Sequence, residues 1–265
     1  MTDKLFSLRV ESTVARITLN REQRRNALTR EMIVGLTKQI NELASDADVR
    51  LIEVAANGTV FCAGMDLGEM QDRAAQSGPE DWLKDSEVYR DLLLAILQAP
   101  QPVLAIVQGP VLAGGVGIVL ACDLVIASQQ AFFALPEPQR GITAAMVTPL
   151  LVRRVGVGHA NHLLLAGDRV STAELANWGI CQKVVEADEL DAVAMQFRAS
   201  VLAGSPQALA ATKRQVQHFA ADIVSQLNQA AEMSANARAT EDAQEGLAAF
   251  LEKRKPSWQI DSNGS

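Results

Sequence analysis

Short apolar runs of strand length alternate with segments of helical period over the first half of the chain, and this alternation most constrains the fold. Two alternating runs at 5–10 and 14–19, joined by the polar turn 11–13, predict a β-hairpin. The elements that follow are predicted as helix 28–44, strand 49–56, helix 82–98, strand 102–108, helix 115–122 and strand 123–128. Strands separated by helices require crossover connections, so the sequence predicts a layered α/β fold.

The character of the chain changes after Gly204. Residues 205–255 are rich in Ala, Gln, Leu and Glu, and the early proline, Pro206, suits the first turn of a helix. We therefore predict two or three helices and no strands there. This divides the chain into an α/β core, residues 1–203, and a helical C-terminal region, residues 204–265, whose polar end from 257 onward is expected to be loose.

Composition excludes several classes of protein. The 265 residues carry 24 Lys and Arg against 31 Asp and Glu, a net charge of −7, which opposes broad contact with a nucleic-acid backbone. The longest nearly uncharged apolar stretch, 110–122, is shorter than the roughly 20 residues that span a membrane. Three well-separated cysteines indicate buried, reduced thiols. We expect a cytoplasmic protein with neither a nucleic-acid nor a membrane partner.

Several familiar motifs fail on inspection. Residues 109–114 have the glycine spacing of a phosphate-binding loop, but Gly115 and Val116 follow where Lys and Ser or Thr are needed. The only clustered histidines, His159 and His162, have no nearby Cys or carboxylate to complete a metal site, so no metal is expected. Three segments remain of interest: 61–70, the glycine-rich 109–117, and 132–138.

These segments could together form a site that stabilises a developing anion beside an acid–base group. Small residues let the backbone approach a ligand, and free N–H groups at the start of a helix can stabilise a developing anion. Glu137, between two prolines in apolar surroundings, could act as an acid or base with a raised pKa. The residues alone are also compatible with a glycine turn that serves only packing and with a solvated loop carboxylate.

Taken in order along the chain, these motifs resemble the crotonase family, the enoyl-CoA hydratase/isomerase superfamily. The resemblance covers nearly the whole length. The similar segments are L-N-R at 19–21, N-A-L at 26–28, A-G-M-D at 63–66, A-G-G at 113–115 continuing to Cys122-Asp123, 165–169, 171–174 and 250–255.

The resemblance implies a spiral of ββα units that forms two roughly perpendicular sheets, with C-terminal helices that assemble a homotrimer or a dimer of trimers. It also implies an acyl-CoA substrate with no separate cofactor, a thioester oxygen bound by the N–H groups of Met65 and Gly114, and Glu137 as the acid–base residue. The residues implied for binding CoA are Ala63, Asp66 and Leu67 beside its adenine and pantetheine, and Arg24, Arg25 and Lys253 near its phosphates, Lys253 from a neighbouring subunit.

One departure from the family pattern affects the predicted reaction. Gly117 stands where typical hydratases carry a first catalytic glutamate, and residues 143–146 replace a later glycine cluster. We hypothesise that the space near Gly117 admits a branched or second-carboxylate acyl group, with Arg140 as counter-charge. The leading prediction is hydration of a branched 2-enoyl-CoA, since the chain resembles hydratases of branched glutaconyl-CoA thioesters.

Two alternatives accompany that prediction. A single carboxylate suffices to move a double bond from the 3- to the 2-position, so an enoyl-CoA isomerase follows closely. A non-catalytic RNA- or ligand-binding relative is the third hypothesis, and the charge of −7 and the retained Glu137 both oppose it.

Overall fold

Nine strands and ten α-helices form the part of the chain that the structure, a computed structural model, describes: residues 4–74, 78–220 and 222–259. In chain order they are β1 Phe6–Glu11, β2 Val14–Leu19, α1 Arg30–Ser45, β3 Leu51–Ala56, α2 Leu67–Ala74, α3 Pro79–Gln98, β4 Val103–Val107, β5 Val111–Leu112, α4 Gly114–Ala121, β6 Leu124–Ser128, β7 Phe132–Ala134, α5 Thr148–Asn161, β8 Val170–Ser171, α6 Thr172–Asn177, β9 Lys183–Val185, α7 Leu190–Leu202, α8 Pro206–Phe219, α9 Ile223–Arg238 and α10 Glu241–Leu251.

Two sheets organise the first 200 residues. The larger has the strand order β1-β2-β3-β4-β6-β9, in which β1 and β2 form an antiparallel hairpin and every later pair is parallel. Parallel neighbours need crossover connections, and the intervening helices supply them. The smaller sheet has the order β5-β7-β8. The predicted α/β class, hairpin and strand–helix alternation are therefore confirmed.

The strand–helix boundaries follow from local sequence. Helix α1 begins two residues later than predicted because Thr29 caps it, its hydroxyl accepting a hydrogen bond from the Met32 N–H at 3.2 Å. Ser171 and Glu174 form the reciprocal capping box that starts α6. Helix α4 is buried at all eight residues, which explains why its sequence is apolar on every face.

The C-terminal region consists of three helices and no strands among its described residues, as predicted. Helix α9 packs against α3, and α10 packs against the short turn Pro138–Arg140 that follows Glu137. These helices thus support the segment that carries the candidate carboxylate. Of the expected loose end, residues 260–265 lie outside the described part of the chain.

Two further expectations concern the cysteines and the membrane. Cys62, Cys122 and Cys181 are all buried and unpaired with one another, as predicted. Across the described ranges, no helix combines the length and apolar character needed to cross a bilayer.

Candidate active site

Two of the three segments singled out from the sequence meet at Gly64. A Cβ on Gly64 would lie 2.6 Å from the Cβ of Ala113 and 3.1 Å from the Gly114 nitrogen, and Gly64 has φ = +85°. Only glycine allows both this approach and this backbone conformation. The contact brings the peptide of Met65 beside the first residue of α4.

The backbone N–H groups of Met65 and Gly114 are both free. Leu28 pairs with the loop on either side of Met65, donating to the Gly64 carbonyl and accepting from the Asp66 N–H, but neither bond uses the Met65 N–H. Gly114 is the first residue of α4, where N–H groups have no partner within the helix. Among the described residues no backbone acceptor serves either group.

The residue before α4 is held in an unusual conformation. Ala113 has φ = 51° and ψ = −127°, a combination that costs an alanine on the order of 1–3 kcal/mol. Its own N–H donates to the Ala134 carbonyl at 3.0 Å, which fixes the turn against β7. The strained turn places the positive end of α4, and with it the Gly114 N–H, beside the loop of Met65.

Glu137 is the carboxylate of the site. It follows β7 and precedes the turn Pro138–Arg140, and only 7% of its surface is exposed. Burial raises the pKa of Glu137 to about 7, although its own backbone N–H and the Arg140 guanidinium favour the charged form. Its Oε2 atom is buried without a hydrogen-bond partner among the described residues. Such an oxygen is suited to accept a proton from a ligand.

Tyr89, on α3, is the site residue that sequence reasoning missed. Its hydroxyl donates a hydrogen bond to the Gly114 carbonyl, and burial raises the pKa of Tyr89, with Cys62 and Glu137 adding to the effect. A tyrosine within a helical hydrophobic pattern is typical of core packing, so its spacing carried no signal. Only the absence of a side chain at Gly117 could have indicated that another residue occupies this space.

One cavity joins these groups. Its volume is about 690 Å³ including the part open to solvent. Its described lining includes Ala63, Met65, Leu67, Tyr89, Gly114, Glu137, Arg140, the segment Ile142–Val147, Ser86, Ser234 and Arg238. The structure therefore brings together Met65, Gly114 and Glu137, which the sequence analysis assigned to one site.

The structure leaves no opening beside Gly117. A Cβ there would collide with the Tyr89 hydroxyl and lie 3.5 Å from Leu93 Cδ2. The expected room for an acyl branch is occupied, because a residue distant in sequence fills it. Arg140 does border the cavity as expected, with its guanidinium 4.4 Å from the centre of the Phe250 ring.

The residues expected near CoA take different positions. Ala63 and Leu67 border the cavity, whereas the Asp66 carboxylate accepts from Arg21 at 2.7 Å and from the Gly68 and Glu69 N–H groups at the start of α2. Since these bonds occupy Asp66, burial's tendency to raise its pKa is outweighed and the pKa is lowered. Asp66 orders the loop that presents Met65.

The cations expected near the phosphates lie on the surface. Arg24 and Arg25 are exposed in a turn before α1, and the Arg25 carbonyl accepts from the Ala63 N–H at 3.0 Å, which ties this turn to the Met65 loop. Lys253 is exposed just beyond α10, with φ = 55°. Within the described ranges, no cluster of His, Cys, Asp and Glu could hold a metal ion.

Comparison with known proteins agrees with this geometry. The family model described as enoyl-CoA hydratase/isomerase matches residues 9–261. The chain is 33% identical over 254 residues to the 2,3-dehydroadipyl-CoA hydratase of Escherichia coli, covering 94% of this chain and 96% of the relative. It is 32% identical to the mevalonyl-coenzyme A hydratase sidH of Aspergillus fumigatus, covering 92% and 90% of the two chains.

A solved structure shows the same architecture. The enoyl-CoA hydratase/isomerase of Xanthobacter autotrophicus Py2 superposes with a TM-score of 0.86 at 31% identity, covering 96% of this chain and 98% of the other. The sequence match and the shared fold extend over the loops and the carboxylate described above. The chain therefore belongs to the enoyl-CoA hydratase/isomerase family.

Proposed function

We propose that this protein adds water across the double bond of a branched 2-enoyl-CoA thioester, with Glu137 as its single catalytic carboxylate. The observation that carries the proposal is the unpartnered, buried Oε2 of Glu137, which lies in the same cavity as Met65 and Gly114 with their free N–H groups. An acid–base group that shares a cavity with two free N–H donors suits chemistry that passes through an enolate.

The reaction follows from these groups. The thioester oxygen accepts hydrogen bonds from the N–H groups of Met65 and Gly114, which makes the β-carbon more electrophilic. Glu137 takes a proton from a water molecule as the water oxygen bonds to the β-carbon, and the electron pair of the double bond moves onto the enolate. Glu137 then returns the proton to the α-carbon, so one water is added and the enzyme is restored.

Tyr89 supplies a second polar group for the water. Its O–H donates to the Gly114 carbonyl, which leaves the lone pairs of the hydroxyl oxygen free to accept a hydrogen bond. Gly117 lies against this hydroxyl. By the family resemblance, typical hydratases carry a glutamate at this position. We assign Tyr89 the task of orienting the water that Glu137 deprotonates, which replaces the orienting part of the missing glutamate.

The acyl group is proposed to be branched, of the methylglutaconyl- or isohexenylglutaconyl-CoA type. Support comes from the two kinds of wall that border the cavity. Ile142, Ala144 and Val147 form an apolar wall that suits a hydrocarbon arm, while Arg140 and Arg238 form a cationic one. The branch is accommodated along these walls and not beside Gly117.

The CoA portion and the assembly complete the proposal. Ala63 and Leu67 border the pantetheine, and Arg24, Arg25 and Lys253 bind the phosphates, Lys253 from a neighbouring subunit of a homotrimer or dimer of trimers.

Exposed apolar side chains on α8, Val216 and Phe219, support self-association. CoA enters as part of the substrate, and no separate cofactor is required.

Isomerisation of a 3-enoyl-CoA to a 2-enoyl-CoA is the second candidate. The observation that favours it is that Glu137 is the one carboxylate lining the cavity among the described residues. One base can remove a proton from one carbon and return it to another, so this reaction needs no water and no second acidic group.

Mass spectrometry of the product separates the two reactions. Purified protein is offered branched and straight 2-enoyl-CoA esters and their 3-enoyl isomers. A product heavier by one water from the 2-enoyl esters supports hydration, and faster turnover of the branched ester supports its class. Products of unchanged mass, formed only from 3-enoyl esters, would establish the isomerase. Glu137→Gln serves as the inactive control.

A further inference from the structure

The cavity has a polar end that the proposed reaction does not use. Ser86 on α3 and Ser234 and Arg238 on α9 line the same cavity as Glu137, where these two helices pack together. Both serines are buried, with Ser86 1% exposed. Buried polar side chains that line an acyl cavity call for a chemical partner.

Two of these side chains have none. Ser86 Oγ is buried without a hydrogen-bond partner among the described residues. No hydrogen bond or ion pair joins the Arg238 guanidinium to any other group in the described ranges. A largely buried, unpaired cation and a fully buried, unpaired hydroxyl each cost free energy that a bound anion would recover.

Asp85, the carboxylate whose charge acts on Arg238, does not form an ion pair with it. Asp85 accepts hydrogen bonds from Arg30 at 2.5 Å and from Nε and Nη2 of Arg73 at 2.9 and 2.8 Å. Asp85 is therefore already bound by two arginines. Asp66 and Glu69 line the same small pocket as Arg238, but in the described part of the chain neither forms an ion pair with it. Burial lowers the pKa of Arg238, with Asp85 opposing the shift and Arg73 adding to it.

We propose that Arg238 and Ser86 bind a carboxylate at the far end of the acyl chain, so that the protein selects CoA thioesters of dicarboxylic acids. The guanidinium offers paired donors that match a carboxylate, and the serine hydroxyl supplies a third. This subsite rests on the proposed function in one respect, that the acyl chain occupies the cavity of Glu137. A CoA phosphate has similar chemistry, and the experiment below separates the two.

Binding of saturated esters, which cannot be hydrated, tests the subsite apart from catalysis. Isothermal titration calorimetry compares matched pairs that differ only in the end group, from butyryl- and succinyl-CoA to octanoyl- and suberyl-CoA. The wild-type protein is expected to bind the best dicarboxylic member at least about tenfold more tightly than its neutral partner. Arg238→Met should lower that ratio to near one, and Arg238→Lys should keep part of it.

Two further variants serve as a control and as a second test of the subsite. Arg214→Met, which removes an exposed arginine of α8, should leave the ratio unchanged. Ser86→Ala, expected to lower the ratio by a smaller factor, provides a second test if Arg238→Met does not fold, as judged by its thermal melt.

Equal binding of both members of every pair by the wild-type protein would overturn the proposal and leave the hydratase assignment intact. Equal weakening of free CoA and both ester classes by Arg238→Met would place the arginine at a CoA phosphate and overturn it too. Selective binding of a dicarboxylic ester without water addition to any enoyl-CoA would retain the subsite and reject the proposed reaction.

Discussion

The Tyr89 hydroxyl occupies the position that a side chain on Gly117 would need. A Cβ on Gly117 would also lie 3.4 Å from the Tyr89 Cζ atom. The Tyr89 hydroxyl donates a hydrogen bond to the Gly114 carbonyl, one turn earlier on α4. Gly117 is therefore what allows a tyrosine from α3 to reach the first turn of α4. A position that lacks the expected catalytic side chain is filled by a different polar group.

Adding a single methyl group at this position should be costly. Gly117→Ala places a Cβ against the Tyr89 hydroxyl, and overpacking of this kind destabilises proteins by about 1–3 kcal/mol. In a Tyr89→Phe background the hydroxyl is gone, so the same substitution should cost much less. Urea unfolding of the four members of this double-mutant cycle measures the coupling.

Gly158→Ala is the matched control for that cycle, because a Cβ at Gly158 meets no atom within 4 Å and alanine favours a helix. It should leave stability unchanged or raise it. If Gly117→Ala were equally harmful with and without the tyrosine hydroxyl, the contact between Tyr89 and Gly117 would be contradicted.

Replacing the carboxylate of Glu137 should abolish proton transfer and spare binding. Glu137→Gln is expected to lower kcat by about 10²–10⁴, since general acid–base catalysis contributes factors of this size. The donors to the thioester are backbone groups, so affinity for a saturated acyl-CoA should stay close to that of the wild type. Stopped-flow turnover and calorimetry measure the two quantities, with the exposed Glu232→Gln as control. Retention of most activity would remove Glu137 from its proposed role.

Activity should rise with pH through the neutral range. Burial raises the pKa of Glu137 to about 7, and the proposed mechanism needs the ionised carboxylate to accept the proton of water. We expect log kcat/KM to increase with unit slope in acid and to level off above about pH 7, because kcat/KM reports groups of the free enzyme. A profile already flat from pH 5 upward would show that this carboxyl is ionised at lower pH than its burial implies.

Stability should fall over the same pH range. Glu137 has a pKa of about 7 in the folded protein against its ordinary value of 4.5, so between these values the folded state binds the proton that the unfolded state has released. Its contribution to stability is thus present below pH 4.5 and is lost as pH rises to 7. Glu137→Gln cannot ionise and should be more stable than the wild type by up to roughly 3 kcal/mol at pH 8.

Denaturant unfolding of both proteins at pH 5 and pH 8 checks this sign. The difference in unfolding free energy between Glu137→Gln and the wild type should be small at the lower pH and grow at the higher. A glutamine variant that is less stable at both values would mean that the carboxylate is held by partners that compensate for its burial.

Local pattern predicted most of the main sheet because most of its elements are long or periodic. The hairpin and helices α1 and α3 carry alternation or helical spacing, whereas β3, β4, β6 and α4 are largely apolar runs of recognisable length. The short edge strand β9, Lys183–Val185, was not predicted. The strands of the small sheet, Val111–Leu112 and Val170–Ser171 among them, have two or three residues each, too few for any periodicity. Their positions depend on contacts between distant segments.

The site residues likewise fall into those with a local sequence signal and those placed by contacts between distant segments. Glycine loops and a carboxylate between prolines are local signals, and the family resemblance that these segments carry implied Met65, Gly114 and Glu137 as one site. Tyr89 and Arg238 come from α3 and α9, and nothing in the sequence near either residue indicates the cavity that they share. Burial and missing hydrogen-bond partners, which reveal their roles, exist only in the folded chain.

The last helix should affect catalysis through a single glycine. A Cβ on Gly246 of α10 would collide with the Arg140 carbonyl and lie 3.0 Å from its Cα, in the turn that begins at Glu137. Gly246→Ala must therefore displace that turn or the helix. Misplacement of a catalytic group by about 1 Å can cost a hundredfold, so we expect kcat/KM to fall by about 10- to 100-fold.

Two measurements separate a displaced carboxylate from simple loss of folding. The midpoint of the pH–activity profile should fall toward acid in Gly246→Ala, because a turn pushed from α10 exposes Glu137 and relieves the burial that raises its pKa. Gly158→Ala, which meets no neighbour, should keep both the wild-type rate and midpoint. A fully folded Gly246→Ala with wild-type kcat/KM would show that α10 does not hold the turn of Glu137 in place.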